Sequence, residues 1–271
     1  MDFNVTDFNV RIRTIRLREA ILAIVIGFVL NVVLVVIFPP LADADELIIM
    51  PLFIFVLLFF IWALRGTHGL SDDFSKLFER DNRREIFYVF LINLLFVFLI
   101  VALFANLDIL YGFVYPEMEP LLDFTPTYYD PLSFVLEVIS SIILAPIIEE
   151  LFFRGVLFNR LKIRTGVIAA MIISSAIFAI GHEFGGITSA FLFGICMCII
   201  YLKTDNILMT MSIHFLNNLV AVLLEVGNAD AFLFQMPLAP ITLLLSIVSW
   251  QVSWGSAGEY QADERAGNTR L

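Results

Sequence analysis

Glu149 and Glu150 stand side by side at the end of a long apolar run, and Arg154 follows four residues after Glu150. Ionisable side chains are costly inside a bilayer, so their place in an apolar segment indicates function. On a helix, Glu150 and Arg154 share a face, which predicts an ion pair at the helix end. Glu149 is rotated by about 140° from Arg154. A carboxylate with no local cation is suited to act as a general base, the alternative being a glutamate that only faces the cytosolic headgroups.

A second candidate pair lies within a later apolar run, where His214 and Asn218 are four residues apart and therefore share one helix face. An imidazole and an amide that point at one spot can donate hydrogen bonds to an oxyanion. The alternative is a polar clasp between helices, which is common in membrane bundles. His182 ends another apolar run, where it either assists the site or caps its helix at the membrane interface.

Glu149, His182 and His214 also supply the donor types of a catalytic zinc site, namely two imidazoles and one carboxylate. The motif H-E-x-x-H of zincins is absent, because Gly186 stands where the second histidine would be. The sequence also contains no G-x-S-x-G nucleophile motif and no phosphate-binding loop. Zinc-dependent hydrolysis therefore remains an alternative to a site without metal.

The elements that position these residues are predicted to be membrane helices. Of the 271 residues, 60% are hydrophobic and 15% are charged, and the mean hydropathy is +0.93. These values lie far outside the composition of soluble proteins. Alternating strands of roughly 10 residues, as in a membrane barrel, are not seen. Because no Gly/Ser-rich or Pro-rich linker interrupts the chain, the sequence predicts one all-α membrane domain over residues 1–271.

Eight apolar runs predict a polytopic helical bundle of about eight transmembrane helices, since each crossing needs about 20 residues. The runs are Ala20–Phe38, Leu47–Leu64, Ile86–Ala105, Leu132–Ile148, Gly166–Gly181, Ile187–Leu202, Ile207–Leu224 and Phe232–Trp250. The first run is longer than the apolar core of a signal peptide, about 7–15 residues, which favours a retained helix. The candidate residues lie between the end of the fourth run and the middle of the seventh, so the catalytic core is expected at about residues 132–224.

Lysine and arginine residues indicate which loops are cytoplasmic. They follow the second, fourth, sixth and eighth runs, whereas the segment Asn106–Pro131 contains none. By the positive-inside rule, the N-terminus and the C-terminus are both predicted to be cytoplasmic, and we expect the site to open toward the cytosol. The net charge of −10 argues against nucleic-acid binding.

Three short motifs carry a family resemblance. E-E-L-F-F-R from residue 149, F-A-I-G-H from residue 178 and H-F-L-N-N from residue 214 occur in that order. They resemble the EExxxR, FxxxH and HxxxN motifs of the CAAX prenyl protease 2 family, also called the CPBP or Abi family. The motifs span about a quarter of the chain.

The resemblance implies an intramembrane glutamic protease that needs no metal and no other cofactor. Glu149, assisted by His182, would activate a water molecule, and His214 with Asn218 would stabilise the tetrahedral oxyanion. The resemblance also implies that Glu150 and Arg154 support the site. Glu150 could in addition share in the proton chemistry.

Eukaryotic members of the family remove the last three residues from proteins whose cysteine bears an isoprenoid. The implied substrates are therefore prenylated (CAAX-type) or other membrane-associated peptides and proteins, cleaved near the C-terminus, with membrane lipid as the surrounding partner. The competing interpretation is a non-enzymatic membrane scaffold or carrier, in which the His and Glu residues relay protons or bind a ligand.

Overall fold

The computed structural model describes residues 5–39, 45–114, 131–182 and 186–227. Within these ranges all regular secondary structure is helical, which confirms the predicted all-α class. The α-helices are α1 (Asp7–Thr14), α2 (Leu17–Ile37), α3 (Asp45–Ala63), α4 (Leu70–Lys76), α5 (Arg80–Val114), α6 (Pro131–Glu137), α7 (Ala145–Glu150), α8 (Asn159–Thr165), α9 (Val167–Ile180), α10 (Ile187–Thr204) and α11 (Ile207–Val226).

Each of the first seven apolar runs overlaps a helix, whereas the eighth lies outside the described residues. In the described ranges, four stretches are long and apolar enough to cross a membrane, namely Leu17–Ile37, Arg80–Val101, Ile187–Thr204 and Ile207–Val226. Shorter apolar helices cover Ile48–Ala63 and Val167–Ile180. These helices support an integral membrane protein, and the number of eight crossings stays a prediction.

The outer surface of α2 shows why this fold needs lipid. Small residues, Ala20, Ala23 and Gly27, form its buried face, and α2 packs on α3. On the opposite face, Phe28 and Val29 remain 57% and 53% exposed. Large apolar side chains along a whole helix face are costly in water but stable against acyl chains.

A continuous helical rod, here called helix 131–165, contains α6, α7 and α8 joined by two π-helical segments, Val138–Leu144 and Leu151–Phe158. A π-helical turn has one more residue in each hydrogen-bonded ring than an α-helical turn, so it changes the direction of the side chains that follow. Single π-helical turns occur frequently at functional sites. The pair of candidate glutamates lies between the two π-helical segments, at the end of α7.

The first π-helical segment leaves one backbone carbonyl without a partner in its own helix. In π register, the carbonyl of Ser141 would accept from residue 146, and Pro146 has no N–H. Instead, Nδ2 of Asn218 on α11 donates to this carbonyl at 2.8 Å. The irregular helix and α11 are thereby joined by a hydrogen bond within the bundle.

Apolar side chains on both sides enclose the candidate residues. Ile148 and Leu151 belong to a buried cluster that helix 131–165 shares with α1 and α3. Phe178 and Ile213 belong to a second cluster formed by α9, α10 and α11. Close packing of α9 on α10 depends on Gly194, because a Cβ there would lie 2.8 Å from Cβ of Ser175. The charged residues of the site therefore sit between two packed layers.

Candidate active site

Glu150 and Arg154 form the ion pair that their spacing predicts. Nη1 of Arg154 donates to Oε1 of Glu150 at 2.9 Å, and the two side chains are 1% and 0% exposed. The guanidinium group also lies 4.5 Å from the ring centroid of Phe178, which adds a cation–π contact. Removal of either charged partner would leave the other uncompensated inside the bundle, at a cost of about 3–5 kcal/mol.

His214 lies between the two neighbouring glutamates. Its Nδ1 is 3.0 Å from Oε1 of Glu150, and its Nε2 is 3.8 Å from Oε2 of Glu149. An ionised carboxylate only accepts hydrogen bonds, so Nδ1 of His214 carries a hydrogen and Nε2 is directed at Glu149. Glu150 therefore fixes both the orientation and the donor atom of this imidazole.

Glu149 has different surroundings from Glu150. Its side chain is 25% exposed, whereas that of Glu150 is fully buried. Among the described residues, Glu149 forms no salt bridge with a lysine or arginine, and its interacting imidazoles are those of His214 and His182. The carboxylate of Glu149 is thus the one that a water molecule or a substrate can reach.

His182 lies just beyond the end of α9, and its side chain turns back onto that helix. Its Nδ1 donates to the carbonyl of Phe178 at 3.0 Å, which leaves Nε2 as an acceptor. The imidazole packs 4.6 Å from the ring of Phe178, and that ring is 5.9 Å from the imidazole of His214. The structure therefore gathers both histidines around one phenylalanine and within electrostatic range of Glu149.

Asn218 lies one helical turn beyond His214 and contributes to packing. Its Nδ2 donates to the carbonyl of Ser141. The polar clasp between helices, which was the alternative interpretation of the sequence, is therefore present. Nδ2 of Asn217 approaches Oδ1 of Asn218 at 3.4 Å. An amide nitrogen carries two hydrogens, so one of them remains for a further acceptor.

Three neighbours of the site were not identified as site residues from the sequence. Phe178 belongs to a recognised motif but had no assigned role, and Phe193 packs 4.8 Å from the ring of His214. Thr210 is fully buried and interacts with Glu150. Its spacing from His214 is one helical turn, a signal that could have revealed it. Phe193 offers no such signal, since 28 phenylalanines are spread along the chain.

Residues 131–220 match the family model described as Type II CAAX prenyl endopeptidase Rce1-like. This segment resembles a CAAX protease domain and is called by that name below. Neither a curated protein nor a solved structure matches the chain. The matched segment of the CAAX protease domain contains helix 131–165, α9, α10 and most of α11.

The CAAX protease domain contains all six predicted site residues, and α1 to α5 lie outside it. The similarity to this family supports a membrane-bound hydrolase of the protease class. It also implies membrane-associated prenylated proteins as the class of substrate. The apolar helices of the described residues agree with that location.

Proposed function

We propose that this protein is an intramembrane endopeptidase that uses a glutamate-activated water to cleave prenylated (CAAX-type) or other membrane-associated peptides near their C-terminus. The observation that carries the proposal is the position of His214 between Glu149 and Glu150. One carboxylate orients the imidazole, and the other stays accessible. The site therefore has an oriented imidazole, that of His214, and an accessible base, Glu149.

Glu149 acts as the general base in this proposal. It takes a proton from a water molecule as the water oxygen attacks the carbonyl carbon of the scissile peptide bond. Nε2 of His182 assists as an acceptor, because its Nδ1 hydrogen is held by the carbonyl of Phe178. When the tetrahedral intermediate collapses, the proton passes to the leaving amine and the C–N bond breaks.

His214 and Asn218 stabilise the oxyanion of that intermediate. Since Nδ1 of His214 donates to Glu150, donation from Nε2 requires an imidazolium, whose charge the ionised carboxylate of Glu150 offsets. The second amide hydrogen of Asn218 supplies the other donor, and each donor of this kind is worth on the order of 3 kcal/mol. Arg154 supports the arrangement by holding Glu150 in place.

The proposal includes a single membrane domain of about eight crossings with its catalytic core at about residues 132–224. Both termini are cytoplasmic, and the site opens toward the cytosol. Basic side chains support this orientation, because Arg13 pairs with Asp205 at the turn between α10 and α11, and Arg160 donates to the carbonyl of Thr14 at the same end of the bundle. A lipid-modified substrate could then enter from the bilayer while its peptide end approaches from the cytosol.

The direct test uses the purified protein in detergent with a fluorogenic farnesylated peptide that ends in a CAAX sequence. We expect release of the last three residues, identified by mass spectrometry. Glu149→Gln, purified in parallel, is the control for contaminating peptidases, and it should be inactive. Cleavage of the same peptide without its isoprenoid at an equal rate would contradict prenyl specificity, and equal cleavage by Glu149→Gln would contradict the proposed function.

A further inference from the structure

α1 lies outside the CAAX protease domain but contacts the first turn of α11. Asn9 of α1 is fully buried, and its Oδ1 accepts from the backbone N–H of Ile207 at 3.1 Å. The first N–H groups of a helix have no partner within the helix. Asn206 satisfies the next one, that of Leu208, at 2.9 Å. The start of α11 is thus capped by one residue beside it and by another from α1.

A buried carboxylate fixes the direction of the Asn9 amide. Nδ2 of Asn9 and the hydroxyl of Thr6 both donate to Oδ2 of Asp73, whose side chain is 2% exposed. The backbone carbonyl of Asp73 accepts from Nδ2 of Asn206 at 3.0 Å. Because the nitrogen of the Asn9 amide is committed to Asp73, its oxygen must face Ile207. These polar contacts join α1, α4 and α11 into one unit.

The next turn of α1, on the same buried side, packs against helix 131–165. Ile12 is fully buried, and a Cβ built on Gly155 would lie only 2.3 Å from its Cγ2. Glycine at this position, next to Arg154, therefore allows α1 to approach the helix that carries the two glutamates. Nε and Nη2 of Arg160 also donate to the carbonyl of Ile15 at 3.1 and 2.9 Å.

We infer that α1 is a clamp that sets the position of α11 relative to helix 131–165, and that Asn9 is a positioning residue for His214. His214 lies seven residues from Ile207, about 10 Å along a rigid helix. A displacement at the start of α11 is therefore carried to the 3.8 Å gap between His214 and Glu149. A misplacement of about 1 Å can cost roughly 100-fold in rate. The effect on turnover rests on the proposed function.

Asn9→Ala tests the clamp, with Val10→Ala as the matched control, because Val10 is the next residue of α1 and is 45% exposed. We expect Asn9→Ala to lower kcat by roughly tenfold or more while KM changes little, since geometry rather than binding is disturbed. Val10→Ala should match the wild type. Unchanged kcat per folded molecule in Asn9→Ala would overturn the positioning role.

A conservative change separates positioning from a general loss of folding. Asp73→Asn keeps an oxygen that can accept from Asn9 and Thr6, so it should retain most of the turnover, whereas Asp73→Ala should resemble Asn9→Ala. If Asn9→Ala does not fold, Asn9→Asp replaces it. That change keeps the acceptor for Ile207 but places a second carboxylate against Asp73. Equal turnover in Asp73→Asn and Asp73→Ala, measured per folded molecule, would contradict the clamp.

Hydrogen exchange tests the clamp without any substrate. Loss of the Asn9 cap should raise exchange in peptides covering the first turn of α11 by roughly tenfold, with no change in α9. Equal exchange at the start of α11 in wild type and Asn9→Ala would refute the clamp, whatever the turnover. If the wild-type protein does not cleave the farnesylated peptide, the CAAX-type substrate of the proposed function fails, and the exchange measurement still decides whether α1 holds α11.

Discussion

Nε2 of His214 lies 3.8 Å from Oε2 of Glu149. The other ring nitrogen of this histidine is bound to Glu150, which is itself paired with Arg154. Two adjacent glutamates therefore contact one imidazole but differ in burial and in charged partners. This difference is the basis for assigning them different tasks.

Glu149→Gln should abolish most of the activity and leave the fold intact. Glutamine keeps the size of the side chain but removes the base, so we expect turnover to fall by at least about 100-fold. Glu149 forms no salt bridge with Lys or Arg within the described ranges, so the thermal midpoint in detergent should change little. Turnover and the thermal midpoint should be measured on one preparation.

Compared with Glu149→Gln, Glu150→Gln should lower the stability more and the turnover less. It leaves Arg154 as a buried charge without its partner, which is expected to cost about 3–5 kcal/mol of stability. Turnover per folded molecule should nevertheless exceed that of Glu149→Gln, since the base is retained. The reverse order of turnover in the two variants would show that the roles of the two carboxylates are exchanged.

Asn218→Ala should affect both turnover and stability. Loss of an oxyanion donor should lower kcat by roughly 100-fold with little change in KM. Loss of the hydrogen bond to the Ser141 carbonyl should lower stability by about 1–3 kcal/mol, because that carbonyl loses its partner. If only the thermal midpoint falls and kcat per folded molecule is preserved, the asparagine is a clasp between helices and nothing more.

The effects of His214→Ala and Asn218→Ala on turnover should be strongly non-additive. Two donors to one oxyanion act as a unit, so the double variant should lose little more than the worse single variant. The measurement is kcat for both single variants and the double variant. Additive losses would mean that the two side chains do not serve the same charge.

Metal chelation should leave the activity unchanged. We expect full turnover after treatment with a chelator and dialysis, because the base and the oxyanion donors come from side chains alone. Wild-type protein dialysed without chelator is the control. Loss of activity that stoichiometric zinc restores would favour a zinc site formed by Glu149, His182 and His214.

Labelling of single cysteines tests the predicted topology. Asp72→Cys, which replaces an exposed residue of α4, and Ser256→Cys should react only after the cytoplasmic face is opened. Glu119→Cys, in the predicted outer loop, should react from outside intact cells. The native Cys196 and Cys198 are replaced beforehand. Reaction of positions 72 and 119 from the same side would contradict the eight-helix arrangement.

The sequence by itself determined the features that depend on local spacing and composition. Runs of apolar residues predict the helices, because a chain in lipid must satisfy its backbone hydrogen bonds within each segment. The four-residue spacing of Glu150 and Arg154 predicts their ion pair, and both side chains lie on adjacent turns as expected. The order of three motifs indicated the family.

Only the tertiary structure decided which distant side chains meet. His214 is 64 residues from Glu150, and helix periodicity carries no information about contacts at that separation. Asp73 belongs to a charged segment that would ordinarily be solvated, yet packing of α1, α4 and α11 buries it with Asn9. Such contacts depend on how helices pack against one another.

The clasp between Asn218 and Ser141 has a similar origin. The sequence shows a proline at position 146, but only the π register of the helix makes Ser141 the residue whose carbonyl loses its partner. A regular α-helix would leave a different carbonyl unpaired, since its hydrogen bonds join residues four apart. Backbone register is set by packing along the whole helix, so the local sequence predicted the helix and the tertiary structure determined its hydrogen bonds.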